Sequence, residues 1–186
     1  TFELHVNIIN SERWMIIGKF AAPNEMSNII LLIGDKKLHV SKEYLAVHSP
    51  VFKTMFFGEF AEKGKEEVEI KEVVYEEFLD LLHFIYLGTG QIVDRTVQHI
   101  LKLADRFQME RVLDLSEKHL MITSRLDVVI LLQLADQYRF AHLRDHCLQS
   151  FSNSAGLITK LQAVPEYADY SDNMKAAICD RIMKLG

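Results

Sequence analysis

A few short runs of this chain carry residue types that could do chemistry. In "HLRDHC", His142 and His146 stand at i, i+4 with Cys147 beside them, the spacing by which a helix offers two imidazoles to a zinc ion. On an ideal helix Cys147 points about 100° away from His146, and no fourth ligand stands at useful spacing, so surface histidines are the expectation. Glu66-Glu67 and Glu76-Glu77 are adjacent carboxylates. Their surroundings are lysines in an evidently exposed stretch, where nothing raises a carboxyl pKa toward acid catalysis. No G-x-G-x-x-G, P-loop or G-x-S-x-G occurs, and Gly88-Thr89-Gly90 follows a helical pattern rather than a strand, which makes it a helix stop. The sequence therefore predicts no catalytic residue, no metal and no cofactor.

Two further carboxylates, Asp105 and Asp136, sit in a repeated phrase: "LKLADRFQMERVLDL" from Leu101 and "LQLADQYRFAHLRDH" from Leu132, 31 residues apart. A catalytic motif has little use for a second copy so near, whereas a building unit does. In the first copy Val97, Ile100, Leu101, Leu103 and Ala104 form a helical stripe that stops near Phe107-Gln108-Met109, and Val112, Leu113, Leu115 and Leu120 begin another. The second copy repeats this with Val128, Leu131, Leu132, Leu134 and Ala135, then Leu143, Cys147, Leu148 and Phe151. Each copy reads as an αα-hairpin that cannot hide its apolar face alone. One short carboxylate per hairpin suits a helix-end or turn contact.

The elements that position these residues follow from pattern. Phe2, Leu4, Val6 and Ile8 alternate with polar residues as a half-buried strand does, and a short helix with Trp14, Met15 and Ile17 follows. "IILLIGDKKLHV" is a hairpin turning at Gly34-Asp35. Ser41 can cap one short helix, and Ser49-Pro50 opens a second in the cap-then-proline arrangement. Val68–Ile70 reads as a short strand, Tyr75–Leu87 as a strong helix, and Gln91–Val93 as one more short strand. After the two hairpins, helices are expected from about Asn153 and about Ser171. Few strands followed by many helices predict an α+β domain with a helical extension.

Composition narrows the partners. Of the 186 residues 49% are hydrophobic and 25% charged, ordinary for a globular chain, and no apolar run of about 18 residues suggests a membrane span. Two cysteines, Cys147 and Cys179, make no disulfide framework, which fits a reducing setting in the cytoplasm or nucleus. The opening "TFELHV" has no initiator Met, as expected of an excised fragment. Nine carboxylates between Glu59 and Asp80 face Lys63, Lys65 and Lys71, a net of −6 in a chain of net −5. Such a segment repels phosphate and argues against nucleic acid. Steering of a basic protein surface and a plain solvated face both remain open.

"KKLHVSKEYLAVHSPVFKTMF", "VEI…FLDLLHFIYLGTG" and "ILKLADRFQMERVLDLSEKHL" closely resemble a BTB/POZ domain in order and spacing, from about Asn28 to Met121. From Ser124 onward the chain resembles the BACK-type or 3-box helical extension of BTB adaptors, and the whole is most similar to the BTB regions of MATH-BTB proteins. The resemblance implies a short three-stranded sheet flanked by a helical cluster, then helical hairpins. It places boundaries at 1–27 for an N-terminal strand-helix dimerisation segment or the end of an upstream domain, 28–122 for BTB/POZ and 123–186 for the extension. It also implies a homodimeric adaptor that recruits the N-terminal region of cullin-3, and with it a ubiquitin ligase, to substrates held by a domain missing from the fragment. The alternative it leaves is a BTB scaffold or transcriptional-regulator dimer without ligase function.

Residue by residue, the resemblance puts the family's apolar-x-Glu cullin motif at Phe60-Ala61-Glu62, with further contacts around the turn at Phe107 and Met109. An exposed aromatic would be the anchor and the carboxylate a directed contact. The dimer contacts fall on Phe2, Leu4, Trp14, Ile17, Asn28 and Lys42. One position departs from the family. Asn28 stands where an Asp usually opens the first hairpin strand, facing the basic residue kept here as Lys42, so Lys42 is expected to be solvated or paired elsewhere. The N-terminal strand either ends a truncated MATH-type domain or crosses a two-fold axis to pair with "GQIV" of a second subunit. The crossing is favoured because the following helix needs its apolar side chains buried.

Overall fold

The computed structural model describes residues 20–59, 64–87, 92–162 and 168–186. The expected strand at Phe2–Ile8, its helix, and Gly88-Thr89-Gly90 lie outside the described residues. Contacts divide the chain into two compact units, Thr1–Gln91 with Gln98–Val112, and Ile92–Val97 with Leu113–Gly186.

The first unit is built on a three-stranded sheet in the order β2-β1-β3. Strand β1 (Ile29–Ile33) pairs antiparallel with β2 (Lys36–Val40) and parallel with β3 (Glu67–Glu69). Gly34 makes the tight turn at φ 61°, open to glycine without a Cβ penalty. The period-two pattern puts Ile29, Leu31, Ile33, Leu38, Val40 and Val68 in the core, each no more than 5% exposed. Helices α1 (Lys42–His48), α2 (Pro50–Phe57), α3 (Tyr75–Leu87) and α4 (Val97–Arg106) follow.

Ser49 separates α1 from α2 for a local reason. A residue before proline is pushed out of the helical region, and Ser49 sits at φ −146°, ψ 118°, with Pro50 as the first residue of α2. Its Oγ accepts from Phe52 N–H at 3.1 Å and donates to the Phe107 carbonyl at 2.5 Å. Phe107 is the first residue after α4, and its ring stacks on Phe52 at 4.6 Å while Phe78 meets Phe52 edge-on.

The repeated phrase is a turn written twice. After α4, Gln108 N–H donates to Asp105 C=O, Met109 N–H donates to Ala104 C=O at 2.7 Å, and Gln108 takes φ 52°. After α6 (Val128–Gln137), Arg139 N–H donates to Asp136 C=O, Phe140 N–H donates to Ala135 C=O at 2.8 Å, and Arg139 takes φ 58°. Both are Schellman closures, in which a left-handed residue lets the chain satisfy the last helical carbonyls and send the next apolar residue back into the core. Ala104, Met109, Ala135 and Phe140 are accordingly buried.

The second unit holds α6, α7 (Ala141–Gln149), α8 (Ser154–Gln162), α9 (Asp172–Leu185) and most of α5 (Glu110–Ile122). Several of its helix ends are satisfied from other elements. Glu117 accepts from Leu143 N–H at 3.0 Å at the start of α7, where Phe140 has no capping side chain. Arg181 donates to the carbonyls of Leu148 and Phe151 at the end of α7. Asp136 accepts from the backbone N–H and the hydroxyl of Ser171, which itself caps α9, so this carboxylate is the helix-end contact expected of it. Ile92 and Val93 form no strand. The Val93 carbonyl instead accepts from Thr96 and Val97 N–H, opening α4.

Ser49→Ala removes a helix cap and strands a buried carbonyl. The expected loss is about 2–3 kcal/mol of unfolding free energy, measured by urea denaturation, and an unchanged midpoint would contradict the role given to this hydroxyl.

Candidate protein-interaction surface

Alternate faces of α2 have different duties. Phe52 and Phe56 point inward at 0% and 4% exposure. The opposite face, Pro50, Val51, Thr54 and Met55, lines an open groove of about 510 Å³ with Val68 and Glu69 of β3 and Gln108 of the turn after α4. The Ser49 bridge fixes α2 against that turn and so holds two walls of the groove in register. Val51, Met55 and Val68 supply an apolar floor, while Thr54, Glu69 and Gln108 supply polar rims, the mixture expected of a surface that takes a specific partner.

The residues expected here are distributed differently from the sequence reading. Phe60 and Glu62 lie outside the described residues. Phe107 and Met109 are 2% and 0% exposed, so neither side chain is offered to a partner in this conformation. The turn buries them because its left-handed residue returns the chain to the core, and what it shows outward is Gln108. Val51, Thr54 and Met55 were missed, although their i, i+3, i+4 spacing opposite Phe52 and Phe56 could have marked a second face.

Asn28 resolves the question that its departure raised. Its Oδ1 accepts from Lys42 N–H at 2.9 Å and its Nδ2 donates to Glu43 Oε2 at 2.7 Å. An amide can do both, while an Asp would set two carboxylates against each other. Lys42 Nζ turns away to the Lys65 carbonyl at 3.4 Å, so the ammonium is met by a backbone oxygen rather than by position 28. Phe2, Leu4, Trp14 and Ile17 lie outside the described residues.

The acidic stretch is partly neutralised. Glu67 pairs with Lys37 at 2.6 Å, Glu76 with Lys36 at 2.9 Å and Glu69 with Lys71 at 3.6 Å. All three pairs are well exposed, so each adds little to stability. Of the metal candidates, His142 and His146 are exposed while Cys147 is buried among apolar neighbours, which push its thiol up to about 11. Among the described residues no three His, Cys, Asp or Glu side chains gather as a metal site, and no helix is long and apolar enough to cross a membrane.

The hydrogen bond from Asn28, ahead of Glu43's own backbone N–H, lowers the Glu43 carboxyl below its ordinary 4.5. A depressed folded pKa contributes stability above the unfolded value and loses it as pH falls through the folded one. Asn28→Ala should therefore raise the Glu43 pKa in an NMR titration, with a stability deficit larger at neutral pH than in strong acid, where only the lost Lys42 N–H bond remains. Asn28→Asp should be worse than Ala at pH 7, and adding Glu43→Gln should restore it. No rescue would mean that the pair is not the reason for the amide.

Comparison with known proteins places these features. A family model for the BTB/POZ domain matches residues 17–124. The chain is 35% identical to BTB and MATH domain-containing protein 38 of Caenorhabditis elegans over 165 residues, covering 89% of this chain and 42% of that protein. It is 33% identical to BTB and MATH domain-containing protein 36 of the same organism over 184 residues, covering 98% of this chain and 57% of that one. Kelch-like protein 28 of Homo sapiens is 38% identical over 90 residues, 48% of this chain and 16% of its own length. The chain thus spans about half the length of the first two relatives. A small mixed sheet, a cap-then-proline helix beside a Schellman turn, and a family match over most of the first unit agree: the chain belongs to the BTB/POZ family.

Proposed function

We propose that this chain is the interaction segment of an adaptor, and that its groove receives the N-terminal region of a cullin-3 scaffold. The observation that carries this reading is the groove on the outer face of α2, because the Phe60-Ala61-Glu62 motif begins only three residues after the last residue of that helix in sequence. Phe60 supplies the aromatic anchor, Glu62 a rim carboxylate, and Val51, Met55 and Gln108 the surface around them. Burial of an aromatic in an apolar pocket is the usual source of most of an interface's affinity. The likeness to MATH-BTB and Kelch-like relatives supports an adaptor. Recruitment, not catalysis, is the activity assigned to it, in the cytoplasm or nucleus, with substrate held by a domain beyond the matched region. The helices after Ser124 are assigned to a BACK-type extension.

Phe60→Ala should weaken binding of the purified cullin-3 N-terminal region by about 2 kcal/mol or more in calorimetry, with an unchanged circular dichroism spectrum. Met55→Glu, which sets a charge on the apolar floor, should weaken it as well. Full affinity in both folded variants would leave the cullin reading without support and favour a BTB scaffold that recruits no ligase.

The adaptor is proposed to work as a homodimer whose N-terminal strand crosses to the partner. Sedimentation should give a dimer that loses stability when residues before Ala21 are deleted. A monomer at tens of micromolar, or a dimer indifferent to the deletion, would end this part of the proposal.

A further inference from the structure

Strand β3 is the outer strand of its sheet, and its backbone groups divide cleanly between two sides. Ile30 N–H donates to Glu66 C=O at 2.9 Å and Ile70 N–H donates to Leu32 C=O at 2.8 Å, with Leu31 opposite Val68 in the parallel register. Val68 therefore turns its N–H and its carbonyl toward β1, as parallel pairing requires. Glu67 and Glu69 turn theirs the other way, and among the described residues those four groups have no hydrogen-bond partner. The groove lined by Val51, Met55, Val68 and Glu69 includes β3 and no residue of β1. An unpaired edge beside an apolar floor is a template for one more strand.

The side chains say what that strand should carry. Glu67 and Glu69 are exposed and project from the same face of β3, while Val68 between them is buried. In an added strand, residues beside the two glutamates favour the opposite charge, and the alternate ones meet the apolar floor. Glu67 is already held by Lys37 at 2.6 Å, whereas Glu69 has only Lys71 at 3.6 Å, so Glu69 is the stronger anchor. We propose that the groove binds, in extended form along the free edge of β3, a protein segment that alternates basic and apolar residues. This goes beyond the cullin reading and does not depend on it. The two ligands would exclude one another because they share Val51 and Met55.

The test uses a short peptide alternating lysine and valine, titrated against the whole chain by fluorescence anisotropy. Binding should protect the Glu67 and Glu69 amides from hydrogen exchange. N-methylation of the peptide nitrogens that face β3 should weaken it by about tenfold or more. A peptide of the same composition in block order should bind more weakly, and Glu69→Lys should shift preference to a glutamate–valine peptide. No binding at millimolar peptide, unprotected amides at saturation, or equal binding of the N-methylated peptide would overturn the proposal. Calorimetry with the cullin-3 N-terminal region on the same sample reports the other reading separately, so either can fail alone.

Discussion

The arrangement of the first unit turns on one buried hydroxyl. Ser49 is 0% exposed, and a buried hydroxyl must find its partners within the protein. It finds one at the start of α2 and another just past the end of α4, at Phe107, 58 residues from Ser49 in sequence. Because Pro50 fixes the backbone on one side and the Schellman turn on the other, neither helix can rotate or slide without breaking that bridge. The stacked Phe52 and Phe107 rings then fill the space that the bridge defines. The groove outside is a by-product of this constraint, since its walls are the other side of the same helix and the same turn.

The second unit handles the same difficulty by another route. Short helices expose several unsatisfied groups at each end relative to their length, and α7 and α8 have nine residues each. Where a local cap is absent, a long side chain reaches over from a neighbouring element, as Glu117 and Arg181 do for α7. End-capping and docking are then one event. The last helix, tied through Ser171 to Asp136, is held by polar contacts as well as by buried Met174 and Ile178.

The hairpin, the four helix starts around Ser41, Ser49, Asn153 and Ser171, and the two repeated turns were all legible in the sequence. Each is set by local chemistry: alternation, a capping side chain, or a proline. The repeat was informative because a closure that needs two apolar residues around a left-handed one leaves the same letters twice. Its polar middle residue is harder to interpret: the resemblance puts Phe107 and Met109 among the cullin contacts, whereas the turn buries both side chains and exposes Gln108. Direction, unlike periodicity, depends on a backbone angle that composition does not reveal. The short strand expected at Gln91–Val93 is not formed at Ile92 and Val93, because the Val93 carbonyl is taken by Thr96 and Val97 N–H at the start of α4. The groove was invisible because it joins α2, β3 and Gln108, which are far apart in the chain.

Asn28 and Glu43 have a bearing on ancestry. Their side chains make one joint contact, so the fitness of either residue depends on the other. A lineage that began with Asp at the first position could accept Asn before or after acquiring Glu at the second, but only one order avoids an intermediate with two facing carboxylates. The amide must come first. Chains descended from this one would meet the same barrier in reverse, with the glutamate lost before the aspartate returns. Two positions 15 apart in sequence would then change as a pair, and an alignment deep enough to date both changes would preserve their sequence of events.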